Sequence, residues 1–140
     1  MNILFICTGN TCRSPMAEGL FNSAASAAGL EHHAFSRGIF ASDGAPASEN
    51  AVRASAILGA DISGHRAHRI ALEDLEAADM VLCMTAAHIH VLEEEFPGIG
   101  EKASTLADGD ISDPFGGGDE EYATAAGQIA GAVARLVKEL

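Results

Sequence analysis

Two short runs of continuous apolar residues most constrain what this chain can fold into. They are "NILFIC" at residues 2–7 and "DMVLCMT" at residues 79–85, and each is followed by a segment with helical spacing. Strands that are apolar at nearly every position are buried on both faces, as in parallel sheets covered by helices. The alternation of strand and helix predicts an α/β fold, a three-layer α/β/α sandwich with a central parallel sheet of about four strands.

The other segments continue this alternation along the chain. The patterns predict a helix after Ser14, a short strand in "HAFSRG", a helix in "ASENAVRASAILG" that ends at Gly59, and a helical turn in "LEDLEAA". A helix in "AAHIHVLEEEF", a weak strand in "KASTL" and a terminal helix with Tyr122, Ile129, Val133 and Leu136 on one face follow. Without internal repeats or linkers, residues 1–140 are expected to form one domain.

Charge and cysteine content restrict the partners and the compartment. Eight Lys and Arg against 20 Asp and Glu give a formal net charge of −12, which disfavours nucleic acid and anionic membranes as partners. The chain has no apolar stretch of about 18 residues and no signal-peptide pattern. Three cysteines, an odd number, favour free thiols over a disulfide framework. We therefore expect a cytoplasmic protein whose anionic ligands, if any, bind at a local positive site.

The segment "CTGNTCRSP" at residues 7–15, in the bend after the first strand, has the composition of an anion-binding loop. Gly9 and Asn10 tolerate positive φ, so successive N–H groups can turn towards one point, where the next helix also directs its positive end. Ser14 is expected to cap that helix and Pro15 to take its first position. Arg13 can bind two oxygens of a phosphate with its forked guanidinium group. The loop therefore predicts a phosphate site.

Cys7 stands at the mouth of this loop, where positive groups would favour its thiolate. A thiolate there can attack phosphorus in line and form a phosphocysteine. The hydroxyl of Ser14 could donate a hydrogen bond to this sulfur and ease its departure afterwards. Thr8 and Gly9 are expected to contribute only backbone groups.

These residues resemble the Cys-x5-Arg-Ser signature of the low-molecular-weight protein tyrosine phosphatases, which in that family also follows the first strand. The resemblance extends to "FSRG", "DISGHRAHRI", "ADMVLCMT" and "SDPFGG", and so covers essentially the whole chain. It implies that Cys7 is the nucleophile, that Arg13 binds the phosphoryl group, and that Asp113, before Pro114, is the general acid and base. It implies no metal and no cofactor.

Two features depart from the usual tyrosine phosphatase pattern and resemble the bacterial protein arginine phosphatase branch. Thr11 stands where tyrosine-specific members have a larger aliphatic residue, and "FGGG" follows Asp113-Pro114. The resemblance implies that Thr11 helps to select phosphoarginine in protein substrates and that inorganic phosphate is the product. Phe40 and Phe115 are expected to form apolar walls along the substrate's methylene groups. Tyrosine phosphatase activity is the alternative.

Several roles stay open at this level. Ser36 and His65 are expected to brace the loop through Asn10, as polar residues do in the family, or else to be ordinary loop residues. Cys12 is either a packing residue or the partner of Cys7 in a reversible disulfide that protects the nucleophile.

The sequence gives less support to two other functions that could use the same loop. An arsenate reductase needs further cysteines in a relay, and no cysteine follows Cys83. A non-enzymatic phosphoprotein-binding module would not need Asp113. "HIH" at residues 88–90 is not a metal-binding pair, because side chains two residues apart on a helix diverge.

Overall fold

The computed structural model describes all 140 residues and contains one parallel sheet of four strands. The strands are β1 (Asn2–Cys7), β2 (His33–Gly38), β3 (Met80–Cys83) and β4 (Ala103–Thr105), in the order β2-β1-β3-β4. The predicted parallel sheet of about four strands is confirmed, and so is the weak strand in "KASTL".

Five helices cover the sheet. They are α1 (Arg13–Ala27), α2 (Glu49–Ile57), α3 (Leu72–Ala77), α4 (Ala86–Glu95) and α5 (Asp119–Glu139), with a short 3-10 turn at Ile99–Glu101. Ser48 caps the start of α2 by accepting a hydrogen bond from the N–H of Ala51. Gly59, at φ 90°, follows the end of this helix as predicted. The residues predicted to share a face of α5 are buried: Tyr122, Ile129, Val133 and Leu136.

Strand β1 is apolar throughout because its two faces belong to two different cores. Ile3 and Phe5 pack in the larger core, with buried side chains of α1, α2 and α5. Leu4 and Ile6 point to the other side of the sheet and pack in the smaller core, beneath α3 and α4. This alternation is the physical reason for the three layers, since successive side chains of a strand face opposite sides of the sheet.

The strand order determines where a ligand site can form. The chain leaves β1 towards β2 on one side and later returns to place β3 on the other side. In open α/β sheets, ligands bind beyond the carboxyl ends of strands at such a reversal. Here that point lies directly after Cys7 and Cys83, which end β1 and β3.

None of the five helices combines the length and the apolar character needed to cross a membrane.

Candidate active site

The loop between β1 and α1 wraps around the sulfur of Cys7. Asn10 takes the positive φ expected of this loop, 56°, whereas Gly9 does not take a positive φ. The N–H of Asn10 donates to Cys7 Sγ at 3.3 Å, and the hydroxyl of Ser14 lies 2.8 Å from the same sulfur. Cys7 itself is 3% exposed. The loop therefore presents donors to a nearly buried sulfur.

The prediction that Ser14 caps α1 is wrong. The helix begins at Arg13, so Ser14 is its second residue and Pro15 its third, and the capping position belongs to Cys12, which makes no side-chain cap. The Ser14 hydroxyl is engaged elsewhere, because it accepts a hydrogen bond from Asn10 Nδ2 at 2.8 Å and faces Cys7. Without a side-chain cap, the first N–H groups of α1 remain available to an anion.

A cavity of about 210 Å³ opens in front of this loop. Eight of the predicted site residues line it: Cys7, Thr8, Gly9, Thr11, Cys12, Arg13, Asp113 and Phe115. The structure thus brings the loop after β1 together with the loop before α5, which follows about a hundred residues later in the sequence.

Arg13 and Asp113 meet at this cavity. Arg13 is 4% exposed and donates from Nη1 to the carbonyl oxygen of Ile111 at 3.1 Å, which holds its guanidinium group in place. Its Nη2 lies 3.6 Å from Oδ2 of Asp113, whose side chain is 57% exposed. Asp113 Oδ1 accepts a hydrogen bond from the N–H of Phe115 at 3.1 Å. A buried cation and an exposed carboxylate therefore face the same space.

Asn10 is the centre of a bracing network. Its Nδ2 donates to Ser36 Oγ at 3.0 Å, and its Oδ1 accepts from the N–H of His68 at 2.9 Å. Its carbonyl oxygen lies 2.8 Å from His65 Nε2, which must donate because a carbonyl can only accept. The two residues predicted to support the loop thus both lie against Asn10, together with the backbone of His68, which sequence reasoning missed.

Comparison with known proteins decides the family. The family model described as "Low molecular weight phosphotyrosine protein phosphatase" matches residues 2–140. The chain belongs to this family. Of the curated relatives, the phosphatase is 38% identical to a "Protein-arginine-phosphatase" of Bacillus subtilis (strain 168), over 100% of this chain and 97% of that protein.

Solved structures agree in fold over the whole phosphatase. The low molecular weight protein tyrosine phosphatase from T. tengcongensis is 42% identical and superimposes with a TM-score of 0.95, covering 100% of this chain and 99% of its own. A structure of the YwlE arginine phosphatase is 37% identical, with a TM-score of 0.95 and coverage of 100% and 95%. That structure is described as a C7S mutant with a phosphorylated active-site serine.

Glu18 of the phosphatase is a further residue that sequence reasoning missed. The hydroxyl of Ser36 donates to Glu18 Oε1 at 2.8 Å, so this hydroxyl must accept, not donate, in its contact with Asn10 Nδ2. Both hydrogens of the Asn10 amide are then used, one on Ser36 and one on Ser14. The Ser14 hydroxyl accepts from Asn10 and keeps its own proton for Cys7. The sequence did place Glu18 near the loop, because it lies one helical turn after Ser14. Its hydrogen-bond partner, Ser36, is on β2, and nothing in the sequence indicated that contact.

Thr8 also differs from expectation, because its side chain is engaged as well as its backbone. Its Oγ1 lies 3.0 Å from Nε2 of His88, a buried residue of α4 that sequence reasoning did not connect with the site. The structure shows that the helix after β3 contributes a side chain to the phosphatase loop.

The two phenylalanines differ in position. Phe115 is 81% exposed and lines the cavity. Phe40 is also exposed, and its N–H donates to the carbonyl oxygen of Thr8 at 2.9 Å, but its ring does not line the cavity. Instead, the Arg69 guanidinium lies 5.9 Å from the centre of the Phe40 ring. Phe115 thus lies at the cavity, whereas the predicted contact of Phe40 with the substrate's methylene groups stays a prediction.

Cys12 is buried behind the loop. Its Sγ lies 3.2 Å from the hydroxyl of Tyr122, and burial together with this thiol raises the pKa of Tyr122. All three cysteines are free thiols. Cys12 thus packs against α5, and the alternative of a reversible disulfide with Cys7 stays a hypothesis.

Proposed function

We propose that this phosphatase hydrolyses phosphoarginine in proteins, with Cys7 as nucleophile and Asp113 as general acid and base. The observation that carries the proposal is the shared cavity, which Cys7, Thr11 and Asp113 all line. Its arginine-phosphatase relative in Bacillus subtilis, 38% identical over the whole chain, supports the same substrate.

The chemistry proceeds in two steps. The Cys7 thiolate attacks phosphorus, the P–N bond breaks, and Asp113 delivers its proton to the departing guanidine nitrogen. Asp113, now a carboxylate, then takes a proton from a water molecule whose oxygen attacks the phosphocysteine. The S–P bond breaks, the thiolate returns and inorganic phosphate leaves. The free N–H groups of the loop and the Arg13 guanidinium would hold the phosphoryl oxygens throughout both steps.

Two polar residues that line the cavity, Thr11 and Asp113, suit a guanidino group. Phosphoarginine presents N–H donors in one plane, and once Asp113 has delivered its proton, its exposed carboxylate can accept two N–H groups of the departing guanidinium side by side. The Thr11 hydroxyl adds a polar contact beside the scissile P–N bond that an aliphatic side chain lacks. A site built to bind N–H groups disfavours substrates that lack them, because its polar groups are then left unpaired.

Phosphotyrosine is the second candidate substrate, and one observation favours it. Phe115 places an exposed aromatic ring beside the cavity, where it could contact the ring of a tyrosine. The arsenate reductase alternative finds less support, since Cys83 is fully buried and points to the opposite core. Burial and the nearby Cys7 sulfur raise the pKa of Cys83 to about 12, so it stays a protonated thiol instead of a relay thiolate.

A paired assay tests the substrate. Two peptides of identical sequence, one with phosphoarginine and one with phosphotyrosine, would be compared by kcat/KM on the unmodified protein. We expect phosphoarginine to be hydrolysed faster, and Thr11→Ile to shift the preference towards phosphotyrosine. Thr124→Ile, an equal change at an exposed position of α5, serves as the control. Faster hydrolysis of phosphotyrosine by the unmodified protein would reject the arginine proposal and leave the phosphatase chemistry standing.

Phosphorylated proteins are the proposed substrates, since they are what the named relatives act on. The acidic surface, with a net charge of −12, supports the absence of nucleic acid among the partners. The proposed location in the cytoplasm rests on the cysteine content.

A further inference from the structure

Thr8 and His88 are 80 residues apart in the sequence and meet beside the proposed nucleophile. Thr8 directly follows Cys7, is exposed and lines the cavity. His88 is 6% exposed and lies in the first turn of α4, the helix that follows β3. Their Oγ1 and Nε2 atoms are 3.0 Å apart. Thr8 shares a cavity with Cys7, so a residue that orients the Thr8 hydroxyl can affect a ligand bound in that cavity.

The start of α4 determines which nitrogen of His88 carries the proton. Thr85 caps the helix by accepting from the N–H of His88 at 3.3 Å, and the N–H of Thr85 donates to His88 Nδ1 at 3.2 Å. A backbone N–H can only donate, so Nδ1 is the accepting nitrogen of the ring. In a neutral imidazole the proton is then on Nε2, the atom that faces Thr8.

The neutral form of this ring follows from its surroundings. Burial, and next the positive charge of Arg13, lower the pKa of His88 to about 4, although Asp110 and Asp113 act in the opposite direction. At neutral pH the ring therefore donates one hydrogen bond, from Nε2 to Thr8 Oγ1, and accepts one at Nδ1.

We propose that His88 is a positioning residue, which makes the Thr8 hydroxyl a hydrogen-bond donor to a phosphoryl oxygen in the cavity. A hydroxyl that accepts from Nε2–H has its own hydrogen turned away from the ring. Thr8 lines the same cavity as Cys7, and the loop's N–H groups would place the oxygens of a tetrahedral dianion in this cavity. The Thr8 hydroxyl thus adds a side-chain donor to a site otherwise formed by backbone groups and Arg13.

This inference rests on the proposed phosphoryl-binding role of the loop, but it does not depend on arginine specificity. It is therefore tested with inorganic phosphate as the probe, by calorimetric titration of the full chain at pH 7. The variants are Thr8→Val, which removes the hydroxyl with little change of shape, His88→Leu, which removes the ring donor, and the double variant. His90→Leu, at an exposed position of the same helix, is the matched control.

We expect Thr8→Val to weaken phosphate binding by roughly tenfold or more, as for a hydrogen bond to a charged group. His88→Leu should weaken it in the same direction, and should have no further effect in the Thr8→Val background. His88→Gln should restore binding, because its amide oxygen can accept from Thr85 and its amide nitrogen can donate to Thr8. His90→Leu should leave the affinity unchanged.

Unchanged phosphate affinity in Thr8→Val would overturn the proposal, as would a loss in His88→Leu that persists in full in the double variant. Nitrogen-15 NMR of the unmodified protein gives a measurement that does not depend on the folding of any variant. It should show the His88 proton on Nε2, and a proton on Nδ1 would contradict the inference. If phosphate binds as expected but phosphoarginine is not hydrolysed, only the proposed substrate fails.

Discussion

The Ser14 hydroxyl lies 2.8 Å from the sulfur of Cys7, and Asn10 determines which of the two atoms donates. The Asn10 amide donates to Ser14 Oγ at 2.8 Å, so the remaining hydrogen of Ser14 is directed to the sulfur. The same amide donates to Ser36, whose own hydroxyl hydrogen is bound by Glu18. A chain of directed hydrogen bonds thus links the carboxylate of Glu18 on α1 to the sulfur of Cys7, and each side chain in it has one orientation.

Ser14→Ala removes the last donor of this chain. The thiolate that leaves phosphocysteine would lose a charge-assisted hydrogen bond, so we expect the second step to slow by roughly ten- to a hundredfold. Rapid mixing should show a burst of the dephosphorylated product followed by slow turnover. Ser26→Ala, at an exposed position of the same helix, should behave like the unmodified protein. A uniform loss without a burst would instead indicate an effect on the first step.

Asp113→Asn removes the proposed acid and base but keeps the size of the side chain. Because Arg13 is also held by the Ile111 carbonyl, its guanidinium should stay in place without the ion pair. We expect kcat to fall by roughly 10²–10⁴-fold, the usual contribution of a positioned acid or base, with phosphate affinity retained. Asp108→Asn, an exposed position of the same loop, is the control. Unchanged turnover would exclude Asp113 from proton transfer.

Gly38→Ala tests how closely the end of β2 approaches the loop. A Cβ at this position would lie 2.8 Å from the carbonyl oxygen of Thr8 and 2.9 Å from Cβ of Asn10, so the backbone of the loop would have to move. We expect a loss of about 1–3 kcal/mol in the free energy of unfolding, together with weaker phosphate binding. Both are measured on one sample, by urea titration and by calorimetry.

The same substitution at Gly131 provides the control for Gly38→Ala. Gly131 lies inside α5, and a Cβ there would meet nothing within 4 Å. Because alanine favours the helix, Gly131→Ala should raise stability by about 0.5–1 kcal/mol. If both variants changed stability in the same direction, the close contact at Gly38 would not be the cause.

The low pKa of His88, about 4, predicts a pH dependence of stability. The unfolded chain binds a proton at this residue near pH 6.5, whereas the folded protein does not bind it until about pH 4. Between these values the unfolded state holds more protons, so the free energy of unfolding should fall as the pH is lowered. The contribution of His88 is fully present above about pH 6.5.

Comparison with His88→Gln isolates this residue from the other groups that titrate in the same range. Urea titrations at several pH values between 4 and 7 should show the unmodified protein losing stability, relative to the variant, as the pH falls. A difference that stays constant over this range would show that His88 is protonated equally in the folded and unfolded states.

Much of the site follows from one continuous stretch of sequence. Residues 7–15 follow a buried strand and lead into a helix, and that local order alone predicts an anion-binding loop with a cysteine at its mouth. The strand pattern also predicted the sheet, because residues apolar on both faces need a core on each side. Asp113 came from the resemblance to the family, since an Asp-Pro pair in a loop does not reveal its target.

The error at Ser14 arose because several nearby groups compete for one hydroxyl. Ser14 has the side chain of a good N-cap, but its hydroxyl is taken by Asn10 and Cys7, and α1 therefore begins without a cap. The Arg69 guanidinium beside the Phe40 ring is likewise a contact that the local sequence does not predict. Which group a side chain contacts depends on which group is nearest in the folded protein. The preference of a residue type for one role, such as that of serine for helix caps, does not decide this.

By itself, the sequence predicted the strands buried on both faces, the bend after β1 and Cys7 as the proposed nucleophile, because each depends on residues that are neighbours along the chain. Only the tertiary structure decided that His88 reaches Thr8, that Glu18 orients the hydrogen bonds to Cys7, and that Asp113 faces Arg13. These contacts form because β1 and β3 pair side by side, with Ile6 opposite Cys83, so that both strands end at the same edge of the sheet. Pairing between distant strands is a property of the whole packed chain, and no local pattern encodes it.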